Sequence, residues 1–165
     1  MRKIERFATI CVMVAGAAIA SPSFAQTVWH NTKFGMSVKQ VQAAVPEAVP
    51  NPEAGHGTIQ TALLRVNDVE MAGHKLKAFL YFHDYHLAEV DFELKTDGGD
   101  DAARAFDDIT KALRLKYGKE STMNVDPSGT GGQGWWSAKP TNISLFYAKY
   151  PPDPAGVLTI QYLEP

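Results

Sequence analysis

The chain has 165 residues, 16 basic and 18 acidic, giving a net charge of −2. No basic stripe runs through it, which argues against nucleic acid or an anionic membrane surface as a partner. Its single cysteine, Cys11, lies in an N-terminal segment expected to be removed, so disulfides, thiolate catalysis and cysteine metal sites are excluded for the mature chain.

Residues 1–25 read as a secretory signal. Arg2, Lys3 and Arg6 precede the apolar run FATICVMVAGAAIA, and SPSFA supplies Ser23 and Ala25 as the small residues of a cleavage site. The run is short for a membrane span and no second one follows, so no transmembrane segment is expected in the mature chain. Cys11 sits deep inside the run, not just before the mature start, which argues against lipidation. The expectation is cleavage after Ala25 and residence in the periplasm or outside the cell. Residues 26–165 would then form a single α+β domain with 13 basic and 17 acidic residues, a net of −4.

The opening QTVWHNTKFGM predicts an extended lead-in with Trp29 and Phe34 as core anchors. SVKQVQAAV predicts a short helix, Ser37 capping it and Gln40 completing a capping box. Val38, Val41 and Val45 form its apolar face, and Pro46 ends it. PEAVPNPEAGHG, with three prolines and two glycines, reads as an irregular connection. A strand follows at TIQTALLRV, with a turn near Asn67–Asp68. VEMAGHK continues into LKAFLYF, and Gly73 marks a bulge or bend.

LAEVDFELK alternates Leu87, Val90, Phe92 and Leu94 with Glu89, Asp91 and Glu93, as a half-buried antiparallel strand does. Its acidic side reads as a solvated face. DAARAFDDITKALRLKYG then switches to helical period through Ala102, Phe106, Ile109 and Leu113. Acids gather at its start and bases at its end, matching the helix dipole, and Gly118 stands where a C-terminal cap belongs. KESTMNV predicts an extra strand, DPSGTGGQG a glycine-rich loop, and GWWSA, TNISLFYAKY and VLTIQYLE three more strands. The resulting order, α-β-β-β-α-β-β-β with a loose internal duplication, predicts an antiparallel sheet backed by helices.

The stretch FHDYHLAEV raises the question of chemistry, because His83 and His86 flank Asp84 and Tyr85. The four residues His83–His86 read as a hairpin connection between strands. The alternative is a metal-binding or hydrolytic protein centred on His83 and His86, with His74 as a third ligand, although no zinc-type spacing is present. The glycine run lacks the Lys-Ser/Thr that a phosphate loop needs and precedes a strand, so it reads as a flexible connection. Beside it, Trp135 and Trp136 must point to opposite faces of one strand, so only one indole enters a given core. Trp135, Trp136, Gly131, Gly132 and Tyr85 are therefore the candidate binding residues. No nucleophile motif and no cofactor signature appears.

The segments Trp29…Phe34-Gly35-Met36-Ser37 with Val41, then Gly73, Phe82…Leu87…Val90, and Leu113…Lys116-Tyr117-Gly118 resemble a group of small exported bacterial proteins of uncharacterised function. The helix-then-strands unit is more distantly similar to small outer-membrane-assembly lipoproteins and to exported β-lactamase inhibitor proteins. The resemblance implies fold type and compartment, and it carries no catalytic residues. The function expected is an exported, non-enzymatic binding or protein-interaction domain. It would act through a sheet face or the edge near Trp135–Trp136 and the glycine loop, on a periplasmic protein or small ligand. A structural cell-envelope component is the remaining alternative.

Overall fold

A computed structural model of the chain describes residues 27–54, 61–152 and 155–165. The expected signal peptide and His56 lie outside the described residues. The elements are α1 (Val38–Ala44), β1 (Val49–Pro50), β2 (Thr61–Met71), β3 (His74–His83), β4 (His86–Thr96), α2 (Gly99–Tyr117), β5 (Thr122–Val125), β6 (Gly131–Ala138), β7 (Thr141–Lys149) and β8 (Gly156–Leu163). All strands join one antiparallel sheet of eight, in the order β1-β2-β3-β4-β8-β7-β6-β5. This is the α+β architecture with an antiparallel, helix-backed sheet that the hydrophobic rhythm predicts.

The duplication is more regular than the sequence suggests. Each half runs helix, short outer strand, then a three-strand meander, and the last strands of the halves, β4 and β8, pair at the centre. The expected extra strand after the second helix is β5. Its counterpart β1 is two residues long, too short to show a period in sequence.

Helix α1 starts as expected: the Ser37 hydroxyl accepts from the Gln40 amide, and the Gln40 side chain accepts from the Ser37 amide at 2.9 Å. Seven residues cannot hold a helix alone. Buried Val41 and Val45 dock it, and the chain before it is tied to β4 by paired backbone bonds of 2.8 Å between Gly35 and Leu87 and between Leu87 and Met36. Trp29 meets Phe92 edge-on at 5.2 Å, and Phe92 meets Tyr162 at 5.6 Å, so aromatic packing seals the seam between the halves.

Helix α2 buries Ala102, Phe106, Ile109 and Leu113, the predicted stripe, and Phe106 packs against Tyr147 with centroids 4.7 Å apart. At its start Lys149 reaches Asp100 at 2.7 Å. At its end Arg114 makes two bonds, 2.7 and 2.6 Å, to the buried Glu120, holding that carboxyl down at about 2. The Trp136 indole N–H donates to the Gly118 carbonyl at 3.1 Å, satisfying a helix-terminal acceptor.

Three sequence expectations need correction. Asn67–Asp68 is a bulge, not a turn: Val66 pairs with Ala78 and Val69 with Leu76, leaving both residues opposite Lys77. The bulge restores Val69 to the core side after an odd step of three. The turn comes later, at Ala72 and Gly73, both at positive φ as a type I′ hairpin requires. The connection after β3 is likewise shorter than four residues. His83 and His86 face each other as the last strand pair, and Asp84 and Tyr85 alone form the turn, again with positive φ at both. The glycine run, finally, is loop only in its first part, and from Gly131 onward it belongs to β6. Its connection is Asp126–Thr130, fastened by Asp126 accepting from Ser128 N at 2.8 Å and Thr130 Oγ1 at 2.9 Å.

Candidate functional site on the bare sheet face

Both helices and the N-terminal segment cover one face of the sheet. Successive strand residues alternate between faces, so the ladder register determines what the other face displays. One row crosses the entire sheet on that side: Val49, Arg65, Phe79, Asp91, Gln161, Ser144, Trp135 and Thr122, each opposite the next. Flanking rows place Tyr81, Glu89 and Leu163 on one side of it, and Glu93, Thr159 and Phe146 on the other. Strand spacing puts Trp135 roughly 19 Å from Phe79. Among the described residues no helix covers this face.

The centre of the row is the least expected feature. Asp91 is 7% exposed although it lies on the helix-free side. Burial, reinforced by the neighbouring Glu89 carboxyl, pushes its own carboxyl up to about 8. The Gln161 amide donates to Glu89 Oε1 at 2.9 Å and to Asp91 Oδ2 at 3.3 Å. Asp91 Oδ1 is buried and meets no donor among the described residues. The same crowding reaches Tyr81, whose phenol is raised by burial first and then by the Asp91, Glu93 and Glu89 charges. The strand Glu89–Glu93 is thus no plain solvated face. It looked like one because alternate carboxylates in a strand read as solvent-facing; the overlooked signal is β3. Its LKAFLYF is apolar at every position from Ala78 to Phe82, so Phe79 and Tyr81 must lie on the acidic side.

Of the candidate binding residues, Trp135 lies on the bare face, half-exposed at the β6 position of the central row. Trp136 does not: it is 1% exposed and belongs to the core. Gly131 and Gly132 are strand residues and form no mobile loop. Gly132 is glycine because a Cβ there would fall 2.6 Å from the Tyr147 ring and 3.1 Å from Phe106. Tyr85, 76% exposed, stands at the tip of the β3–β4 hairpin.

Among the described residues, His74 is not brought together with His83 and His86. His74 begins β3 and His83 ends it, roughly 30 Å apart along the strand. His74 is engaged by α2, with Nε2 3.2 Å from Asp108 Oδ2. His83 and His86 pair across the turn, where His86 Nδ1 donates to the Asp84 carbonyl at 2.8 Å. Among the described residues no three His, Cys, Asp or Glu side chains are grouped to hold a metal ion, and no helix is long and apolar enough to cross a membrane.

The structure defines a pseudo-symmetric α+β domain in which, among the described residues, no helix covers one face of the antiparallel sheet. No family model, curated protein or solved structure matches the chain.

Proposed function

We propose that the chain is an exported, non-enzymatic interaction domain that docks a partner protein on the bare sheet face. The observation that carries this reading is the central row, where half-buried Phe79 and Trp135 bracket the buried Asp91 carboxyl. Phe146, 41% exposed, lies beside it. Aromatic groups around a desolvated polar centre are the composition of an interface anchor. The partner expected is a protein surface carrying a basic side chain among apolar ones, because Glu89, Asp91 and Glu93 oppose that charge.

The breadth of the face suits a protein surface. Eight strands span about 34 Å, enough for a standard interface. The recess between β4 and β8, lined by Glu93, Lys95, Val157 and Thr159, holds about 160 Å³, below the range of small-molecule pockets. Export rests on the charged, apolar and small-residue order of residues 1–25.

The test places a photo-crosslinking amino acid at Phe146 and, as control, at Leu115, which is 90% exposed on α2. The expected result is one defined adduct from position 146 in the native envelope, lost with Trp135→Ser and absent from position 115. Equal yields at both positions, or insensitivity to Trp135→Ser, would refute the docking face. N-terminal sequencing of the mature protein should read from Gln26; retention of residues 1–25 would refute export.

A further inference from the structure

Asp91 and Glu89 are two carboxyls that share one amide donor, and neither is matched to a cation. Gln161 Nε2 spans Glu89 Oε1 and Asp91 Oδ2, while Asp91 Oδ1 is buried and reached by no donor among the described residues. After burial, the neighbouring Glu89 carboxyl is what most raises the Asp91 carboxyl. A buried acceptor left without a donor costs free energy, more so when it is charged.

The charged groups facing the pair do not meet this need. On its own strand, Glu93 adds a like charge and Lys95 lies 4.0 Å from Glu93. On β3, Lys77 is opposite Glu93, and Tyr81, opposite Glu89, is an uncharged phenol. β8 contributes Gln161 and Thr159 on this side, with no charged residue. Arg65 stands in the same row, but Phe79 separates it from Asp91. The pair therefore lacks a donor that must come either from solvent, as a proton, or from a partner, as a cation.

We propose that the Glu89–Asp91 pair is a proton-exchange anchor: it holds a proton while the face is free and releases it to solvent when a lysine or arginine side chain docks against it. The proposal rests on the reading of the bare face as a docking surface and specifies how that surface responds to pH. The N–H groups of the incoming cation reach Glu89, the partly exposed member of the pair, and the ionised pair supplies the charge to hold it. Affinity should then rise with pH, by up to about tenfold per unit while the free pair remains protonated. Burial holds the free Asp91 carboxyl near 8, so that window lies below about pH 8.

The test follows the Asp91 side-chain carbon by NMR across a pH titration of the wild-type protein, with N-acetylarginine amide as probe at fixed ionic strength. N-acetylcitrulline amide, of the same shape but uncharged, is the control. At a probe concentration about ten times its Kd, linkage should lower the Asp91 midpoint by about one unit, while the citrulline compound should leave it in place. Asp91→Asn should abolish the pH dependence of arginine-amide binding, and Glu93→Gln should retain it. An unmoved midpoint, an equal shift with citrulline, or a free Asp91 that titrates near 4 would overturn the proposal. The decisive titration uses the native protein, so it does not depend on any variant folding. Face-dependent cross-linking with pH-independent affinity would overturn the anchor and leave the docking face standing. Proton displacement by arginine amide without face-dependent cross-linking would do the reverse.

Discussion

Two neighbouring rows of the same sheet, one residue out of step, show how differently its faces are built. Leu80, Val90, Tyr162, Ile143 and Trp136 face the helices, and none is more than 4% exposed. Beside each stands a residue of the bare row: Phe79, Asp91, Gln161, Ser144 and Trp135. The first row is closed, with apolar contact on every side and the one indole N–H satisfied by Gly118. The second buries Asp91 and Ser144 although no helix among the described residues lies above them. A core row needs only shape. The bare row retains a carboxyl that shape alone does not accommodate, and such a cost is ordinarily found where binding uses it.

The largest effect should come from the closed row. Trp136→Ala removes a fully buried indole and orphans the Gly118 carbonyl, so unfolding should be easier by about 3–5 kcal/mol in urea titrations. A loss below about 1 kcal/mol would mean that the C-terminal half does not depend on this contact, and the contrast between the rows would collapse.

Asp91→Asn should act in the opposite direction and depend on pH. The folded state holds the Asp91 proton up to about 8, against an ordinary carboxyl value of 3.8. Below the lower value both folded and unfolded forms are protonated, and burial carries no ionic penalty. As pH rises between the two, the unfolded chain ionises and the folded one does not, so wild-type stability falls; above the upper value the penalty is complete. An asparagine, with the shape of the protonated acid, escapes this. Relative to wild type the variant should gain almost nothing at pH 4 and on the order of several kcal/mol at pH 8. Thermal melts at both pH values decide it, and a gain that does not grow with pH would show that Asp91 is ionised throughout.

Gly132→Ala tests the closed face at its tightest point. The added methyl would press on the Tyr147 and Phe106 rings, and overpacking of this kind costs about 1–3 kcal/mol. Unchanged stability would indicate that the contact between α2 and β7 yields easily.

Much of the closed face was legible in the sequence because helices and strands announce themselves by period. The α2 stripe from Ala102 to Leu113, the Ser37–Gln40 capping box and the alternation through Val90, Phe92 and Leu94 each need only neighbours a few residues away. Failures arose where a strand loses step. Bulges at Asn67–Asp68 and at Ala88 let the core side resume after odd spacings, and the first was read as a turn because polar Asn-Asp pairs are also turn formers. The bare row was illegible for a deeper reason. Asp91, Gln161, Ser144 and Trp135 come from four strands up to 70 residues apart, brought into line by register alone. Trp135 and Trp136 were both singled out because adjacent tryptophans in a strand cannot share a face, but which of them faces the core is set by the register of β6 with β7, which the local pattern does not carry. Gly131 and Gly132 were read as loop residues, whereas they lie in β6, because glycine serves close packing as readily as it serves a loop.

The smallest stability effect is expected at Trp135, and that small size is what separates the rows. Trp135→Ser removes an indole of the same volume as Trp136, one position earlier on the same strand. Yet its ring lies half-exposed on the bare face, its removal opens no closed cavity, and solvent can occupy the space. The cost to folding should be no more than about 1 kcal/mol, with the urea slope unchanged, while cross-linking from position 146 is lost. A penalty comparable to that of Trp136→Ala would instead make the bare face a second core, built for the fold's own stability and leaving no surface for a partner.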